Sequence, residues 1–278
     1  MTQVSIMAVR ALAAAVESTG VERGRFLAAA GLESTALDDL NTRISLADYG
    51  RARRAALVTS GDPALGLHMG GQASTGRFDV LAPLAEHSGC LRDALQVCTR
   101  YGRIVMDTAP LELSEEGDVA TLRCVPLAGE AADVLRLTAE FVTSSLLYLI
   151  RRFVGTDAEL RRALFAFPAP AHRAEYTRIF AGREQFAQAF TGIEFERAWL
   201  DRTQAYRSPE LRTLLQARAE LLLAKVEQDA PAADRVRRWL ASKSLETRPT
   251  METIARDLGM SARSLRRRLH EEQAPYDD

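Results

Sequence analysis

Ser261 to His270 holds four arginines, Arg263, Arg266, Arg267 and Arg268, and no acid. A guanidinium offers a fork of donors that pairs with guanine in the major groove or neutralises phosphate. Ser261 is a good helix N-cap, and the helix behind it turns Arg263, Ser264, Arg266, Arg267 and His270 outward. Such a run alone also suits a solvated helix in an arginine-rich protein. The spacing around it decides for DNA. Counting from Met251 as position one, Ile254 is fourth, Ala255 fifth, Leu258 eighth, Gly259 ninth, Met260 tenth and Leu265 fifteenth, with Leu269 one turn further. This is the pattern of a helix-turn-helix. The small fifth residue lets the second helix cross closely, and glycine at nine accepts a positive φ. The apolar positions join the helices.

Other chemistries lack their residues. The four histidines, His68, His87, His172 and His270, are scattered without metal-ligand spacing. Neither GxSxG nor HExxH occurs. The glycines at 66, 70, 71 and 76 form neither GxxxxGK[ST] nor GxGxxG. They read as tight turns around short helices. Cys90, Cys98 and Cys124 are odd in number and include no CxxC, which fits a reducing cytoplasm. The reading is a protein that is not an enzyme, with no catalytic residue, cofactor or metal. The apolar run Phe141–Ile150 is too short to span a bilayer, and the N-terminus lacks a signal peptide's basic start.

The elements that must position the motif come next. The chain has 278 residues, 47% hydrophobic and 26% charged, with net charge −1. That excludes a largely disordered chain and suggests about two domains. Residues 233–278 carry ten basic and eight acidic residues, so the basic excess is local. Only two of the 36 basic residues are lysine, a bias of gene composition rather than a mark of binding.

The first 60 residues read as helices broken at Gly20 and Gly31, with a third from Ser45 to the Gly61-Asp62-Pro63 turn. Cys90–Tyr101 reads as a helix and Arg103–Asp107 as a strand. Leu111 to Val125 reads as a hairpin turning at Glu116-Gly117-Asp118. Ala131–Phe153, apolar on most sides, should be the central helix. Glu159–Phe167 reads as a strand, His172–Phe180 as a short helix, and Ile193 and Phe195 as a further strand. Helices and strands mix without regular alternation, so the fold class is α+β. Ser208-Pro209-Glu210 opens a helix to about Asp229, with Leu211, Leu214, Leu215, Leu221, Leu222 and Val226 as its apolar face. A dimer seam along this helix fails to be continuous at Arg218, so packing on its own domain is the preferred reading. Pro231 breaks it. The domains are then 1–207 for effector binding and dimerisation, 208–231 as a linker helix, and 232–278 for DNA binding. In the last, Asp234–Ser242 carries Val236, Trp239 and Leu240, and the motif fills 251–272.

Residues 250–272, TMETIARDLGMSARSLRRRLHEE, closely resemble the first helix-turn-helix of AraC-family transcription regulators. Upstream, GLHMGG (66–71), residues 76–105, HRAEYTRIF (172–180) and AWLDR (198–202) resemble the arabinose-binding-type effector domain of one subgroup. The resemblance implies base-reading side chains at Arg263, Arg266 and Arg267, and G-rich contacts. Arg268 falls toward the packing side, suited to phosphate or a neighbouring acid. It implies double-stranded DNA and a small-molecule effector as partners, and admits a homodimer and RNA polymerase. Activation and repression both stay open, as does the effector. Candidate polar anchors are Arg77, Arg103, Asp107, His68, His87 and Tyr101, each of which reads equally as an ordinary structural residue.

Two departures qualify the resemblance. The family carries two helix-turn-helices joined by a long helix, and this sequence ends at Tyr276-Asp277-Asp278, where that helix is expected. The expectation is weak DNA binding by this chain alone. The alternatives are a truncated ligand-binding or dimerising protein, or a decoy that spoils a relative's binding. The segment Arg183–Ala189 also departs from the family pattern.

Overall fold

The computed structural model describes residues 3–39, 42–71, 80–105, 110–125, 131–204, 207–241, 249–272 and 274. These divide into two compact units, Val4–Leu223, and Ala224 onward grouped with Gln3.

The chain begins with β1 (Gln3–Ser5), α1 (Ile6–Ser18), α2 (Arg23–Ala30), β2 (Arg43–Ser45) and α3 (Leu46–Ser60). β1 and β2 form a two-stranded sheet. Each ends in a serine that caps the next helix: Ser5 Oγ accepts from Met7 N and Ser45 Oγ from Asp48 N. Val9, Leu12 and Val16 of α1 pack with Phe26, Leu27, Tyr49 and Ala52 in one apolar cluster.

α7 (Ala132–Val154) is the long helix that the sequence predicts, and α4 (Leu65–Gly71) packs against it. The glycine-rich stretch reads as tight turns around short helices; residues 65–71 are such a helix, and its glycines lie within it rather than at its turns. Gly66 and Gly70, one turn apart, face α7 so closely that a Cβ would meet Glu140 Cβ at 2.7 Å and Ser144 Oγ at 1.9 Å. The glycines serve helix contact, a use that turn statistics do not signal. α7 is central as its apolar girth predicts. Leu137 belongs to the first cluster, while Val142, Leu146, Ile150 and Phe153 belong to a second.

That second cluster fills the space between α5 (Leu81–Glu86), α6 (Leu91–Val105), α7 and a five-stranded sheet. The sheet contains β3 (Leu111–Glu116), β4 (Val119–Cys124), β5 (Arg162–Leu164), β6 (Glu184–Gln185) and β7 (Thr191–Glu196), in the order β3-β4-β7-β5-β6. Pairing is antiparallel except between β5 and β6. Ala120, Leu122 and Cys124 alternate inward, as a one-sided strand requires. The α+β class follows from these elements.

Two strand readings are corrected. Arg103–Val105 closes α6 instead of forming a strand, because Tyr101, Ile104 and Val105 continue the buried helical stripe begun by Leu91 and Leu95. Residues 106 and 107 lie outside the described chain. The strand read over Glu159–Phe167 is β5 alone, with Phe165 N still bonded to Gln185 O. α8 (Arg173–Phe180) ends at Ala181, in the left-handed region. Its Tyr176 and Phe180 join Phe165 and Phe186 in an aromatic group.

α9 (Pro209–Asp229) starts at the expected cap, with Leu211 N donating to Ser208 Oγ at 3.1 Å. Its leucines do not form one face. Ala219 and Leu223 are buried, Leu215 and Leu222 are partly covered, and Leu211, Leu214 and Leu221 are exposed. In the second unit α10 (Ala232–Ala241), α11 (Met251–Asp257) and α12 (Ala262–Glu271) form a three-helix group.

Candidate nucleic-acid interface

The small unit is built to hold α12 outward. Thr250 Oγ1 accepts from Thr253 N to start α11, and Ser261 Oγ accepts from Ser264 N at 3.0 Å to start α12. Between them Gly259 takes φ +70, which a side chain would oppose. Met251, Ile254, Ala255, Leu265 and Leu269 are buried with Ala232, Ala233 and Val236. Leu258 and Met260 are partly buried against this core, and so are Trp239 and Leu240. Gly259 itself is exposed and contributes its backbone alone.

Arg263, Arg266, Arg267, Arg268 and His270 are exposed, while Ser261 and Ser264 bond each other at the helix start. The i, i+3, i+4, i+7 spacing puts Arg263, Arg266, Arg267 and His270 on one side, opposite buried Leu265 and Leu269. Arg268, read as lying toward the packing side, is as exposed as the others; it sits on the flank of this face. Arg267 lies 3.7 Å from Glu271 one turn on.

Polar ties that the sequence does not advertise lock the three helices. Glu272 accepts from Ala232 N at 2.7 Å and Ala233 N at 2.9 Å. Arg235 donates to Leu258 O at 2.7 Å, satisfying a carbonyl at the end of α11. Trp239 Nε1 donates to Asp257 at 3.1 Å. The partners lie 18 to 40 residues apart, so no local pattern marks them.

The large unit does not gather the expected anchors into one place. Arg77 and Asp107 lie outside the described residues. His68 on α4 bridges Asp62 (2.6 Å) and Glu175 (2.8 Å). Burial alone would lower its pKa, but the hydrogen bonds to Glu175 and Asp62 raise it above the usual value. His87 accepts from Ser208 N. Tyr101 donates to Glu220 of α9, and burial pushes its hydroxyl pKa up. Arg103 is half-buried at the end of α6.

Other polar groups are deeper. Arg53 is fully buried, donating to Thr138 Oγ1 at 2.7 Å and lying over the Tyr49 ring. Glu140 is buried on the other side of α7, accepting from Tyr176 and hydrogen-bonded to His172 Nε2 at 2.9 Å. Burial raises its carboxyl pKa despite these bonds. Neither is signalled by the sequence: Arg53 stands between Arg51 and Arg54 in α3, and Glu140 follows Arg136 by one turn in α7, so each reads as an ordinary surface charge. Among the described residues no group of His, Cys, Asp and Glu could hold a metal, and no helix is long and apolar enough to cross a membrane.

An α+β unit joined to a helix-turn-helix with an outward basic helix is the layout of a transcription regulator. Comparison with known proteins narrows the class. Residues 20–204 match the arabinose-binding domain of AraC transcription regulators, N-terminal. The ornithine utilization regulator of Pseudomonas aeruginosa is 31% identical over 257 residues, covering 91% of this chain and 74% of that one. An HTH-type transcriptional regulator of Mycobacterium tuberculosis is 24% identical over 286 residues, covering 98% and 80%. The crystal structure of the transcriptional regulator CdpR from Pseudomonas aeruginosa shares the fold, with TM-score 0.54 and 16% identity, over 90% of this chain and 78% of that one. The chain belongs to the AraC family of transcription regulators: a DNA-binding regulator with a ligand-sensing N-terminal domain.

Proposed function

We propose that α12 is the recognition helix and that Arg263, Arg266 and Arg267 read base edges in the major groove. Ser261, Ser264, Arg268 and His270 complete the contact, with Arg268 on phosphate. The observation that carries this is the exposed arginine face of α12 standing on a fully buried apolar seat, with Ser261 capping its start. A recognition helix needs that rigidity, because base contacts fail when the helix can tilt.

The sensing domain biases how this helix is presented. A ligand can shift the protein only by binding one arrangement better than another. The protein works as a homodimer, since doubling a weak half-site multiplies specificity. It acts in the cytoplasm through double-stranded DNA and RNA polymerase, and it is not an enzyme; the names of its relatives support this. The domain assignment follows the sequence reading: effector domain to about residue 207, linker helix to 231, DNA-binding segment beyond. Because one relative is named for ornithine utilization, diamino acids are the first effectors to test.

The experiment is fluorescence anisotropy against the gene's own upstream region at two salt concentrations. The chain and its Arg263/Arg266/Arg267→Ala variant are compared. Salt-sensitive binding lost in the variant supports the assignment. Equal binding by both overturns it.

A further inference from the structure

α4, α7 and α8 meet at one carboxylate. Glu140 of α7 has 1% of its side chain exposed. Its polar contacts all lie on one oxygen. Oε1 accepts from the Tyr176 hydroxyl, is hydrogen-bonded to His172 Nε2 at 2.9 Å and lies 3.8 Å from Arg136 Nε, one turn back on α7. Oε2 is buried and has no hydrogen-bond partner. Over it stands Gly66 of α4, where a Cβ would lie 2.7 Å from Oε2. A carboxylate oxygen taken out of water without a donor is costly, and folded proteins leave few such atoms. It marks a place for a water or a ligand.

We propose that Oε2 of Glu140 receives an ammonium group of the effector, between α4 and α7. This rests on the diamino-acid reading above and names its site. An ammonium brings donors and no acceptor, and its charge offsets that of the buried carboxylate. A metal ion fits less well, since among the described residues no third ligating side chain joins Glu140 and His172. Arg136, 34% exposed, forms the outer rim of the group, and its guanidinium suits the carboxylate of the same molecule. Gly66 fills the space that the ammonium needs, so binding selects an arrangement with α4 further from α7. α4 is tied to α8 by His68 and Glu175 at 2.8 Å, and α8 to α7 by His172 and Tyr176 on Glu140. A shift of α4 therefore reaches α8 through side chains that already hold the three helices together.

Calorimetric titration of the full chain with L-ornithine and with putrescine, a diamine without a carboxylate, tests this. Wild type should bind L-ornithine, and Glu140→Gln should weaken it by at least about tenfold. Without ligand the Glu140→Gln melting temperature should not fall, because the amide still accepts from Tyr176 and buries no charge. Arg136→Gln should weaken L-ornithine and spare putrescine; equal losses for both overturn the carboxylate contact. Should Glu140→Gln fail to fold, hydrogen exchange of the wild type decides. Addition of L-ornithine should change exchange in α4, α7 and α8, and changes confined to other elements overturn the site. Equal binding of L-ornithine by wild type and a folded Glu140→Gln overturns the site and keeps the diamino-acid reading. Binding of putrescine alone, lost in Glu140→Gln, keeps the ammonium site and overturns that reading. Binding of neither overturns both.

Discussion

Glu272, just beyond α12, caps the first turn of α10 by accepting from Ala232 N at 2.7 Å with one oxygen; the other accepts from Ala233 N at 2.9 Å. The first N–H groups of a helix have no partner within it, and a carboxylate there also meets the positive end of the helix dipole. The bond closes the three helices into a ring. Glu272→Ala should destabilise the DNA-binding unit by about 1–2 kcal/mol. Glu272→Gln keeps one acceptor and should cost less. Thermal unfolding of the full chain reads the effect, and an unmoved transition in the alanine variant would mean the cap is not made in solution.

Gly70 touches the central helix without a side chain to spare. A Cβ there would lie 1.9 Å from Ser144 Oγ and 2.6 Å from both Ser144 Cβ and Ser145 N. The last contact is backbone, so no rotamer change relieves it. Gly70→Ala should cost at least about 2 kcal/mol as α4 is pushed off α7. Gly71, its neighbour, has nothing within 4 Å of the same position, so Gly71→Ala should be neutral or slightly stabilising. Denaturant melts of the two variants check this. Equal stabilities would mean that the helices do not approach so closely.

The contrast between those two glycines shows where sequence reading stops. GLHMGG reads as tight turns around short helices because glycine favours turns, and the sequence cannot show that Gly66 and Gly70 face Glu140 and Ser144 some 74 residues later. The helix-turn-helix was legible because each determinant is local: Thr250 and Ser261 cap, Gly259 turns, and Ile254, Ala255, Leu265 and Leu269 recur at helical spacing. The hairpin of β3 and β4 was legible for the same reason. Arg103–Val105 was misread because three apolar or long residues fit a strand as well as the end of α6. The buried Glu140–His172–Tyr176 group is illegible: its members come from α7, the N-cap of α8 and α8 itself, and each alone resembles a surface residue.

His68 predicts a pH dependence. Its folded pKa is raised above 6.5 by Glu175 and Asp62 against the effect of burial. The bridge therefore stabilises fully below about 6.5 and is lost as pH rises through the folded value. Glu175 acts on the acid side. Arg178, and after it His68, hold its carboxyl at about 2, so its contribution is present above 4.5 and lost as pH falls toward 2. Glu140 adds a separate trend. Burial raises its pKa, so its charging opposes folding as pH rises from 4.5 through the folded value. His68→Gln should flatten the alkaline limb above about 6.5 and leave the Glu140 trend in place. Denaturant melts between pH 4 and 9 test it, and identical profiles for wild type and variant would refute the bridge.

The arginines of α12 should separate by role in their salt dependence. A side chain that only neutralises phosphate releases a counterion, so its loss lowers the salt slope by about one and weakens all sequences alike. A side chain paired with a base costs about 1–3 kcal/mol at its own position and little elsewhere. On α12, Arg263, Arg266 and Arg267 share the face opposite Leu265 and Leu269, while Arg268 stands on the flank. Arg268→Ala should thus reduce the slope and keep the sequence preference. Arg263→Ala, Arg266→Ala and Arg267→Ala should each relax the preference at one base pair. Binding isotherms over a panel of single-base variants at two salt concentrations distinguish the patterns. If Arg268→Ala changes base preference while the other three change only the slope, the helix lies in the groove rotated from the orientation proposed here.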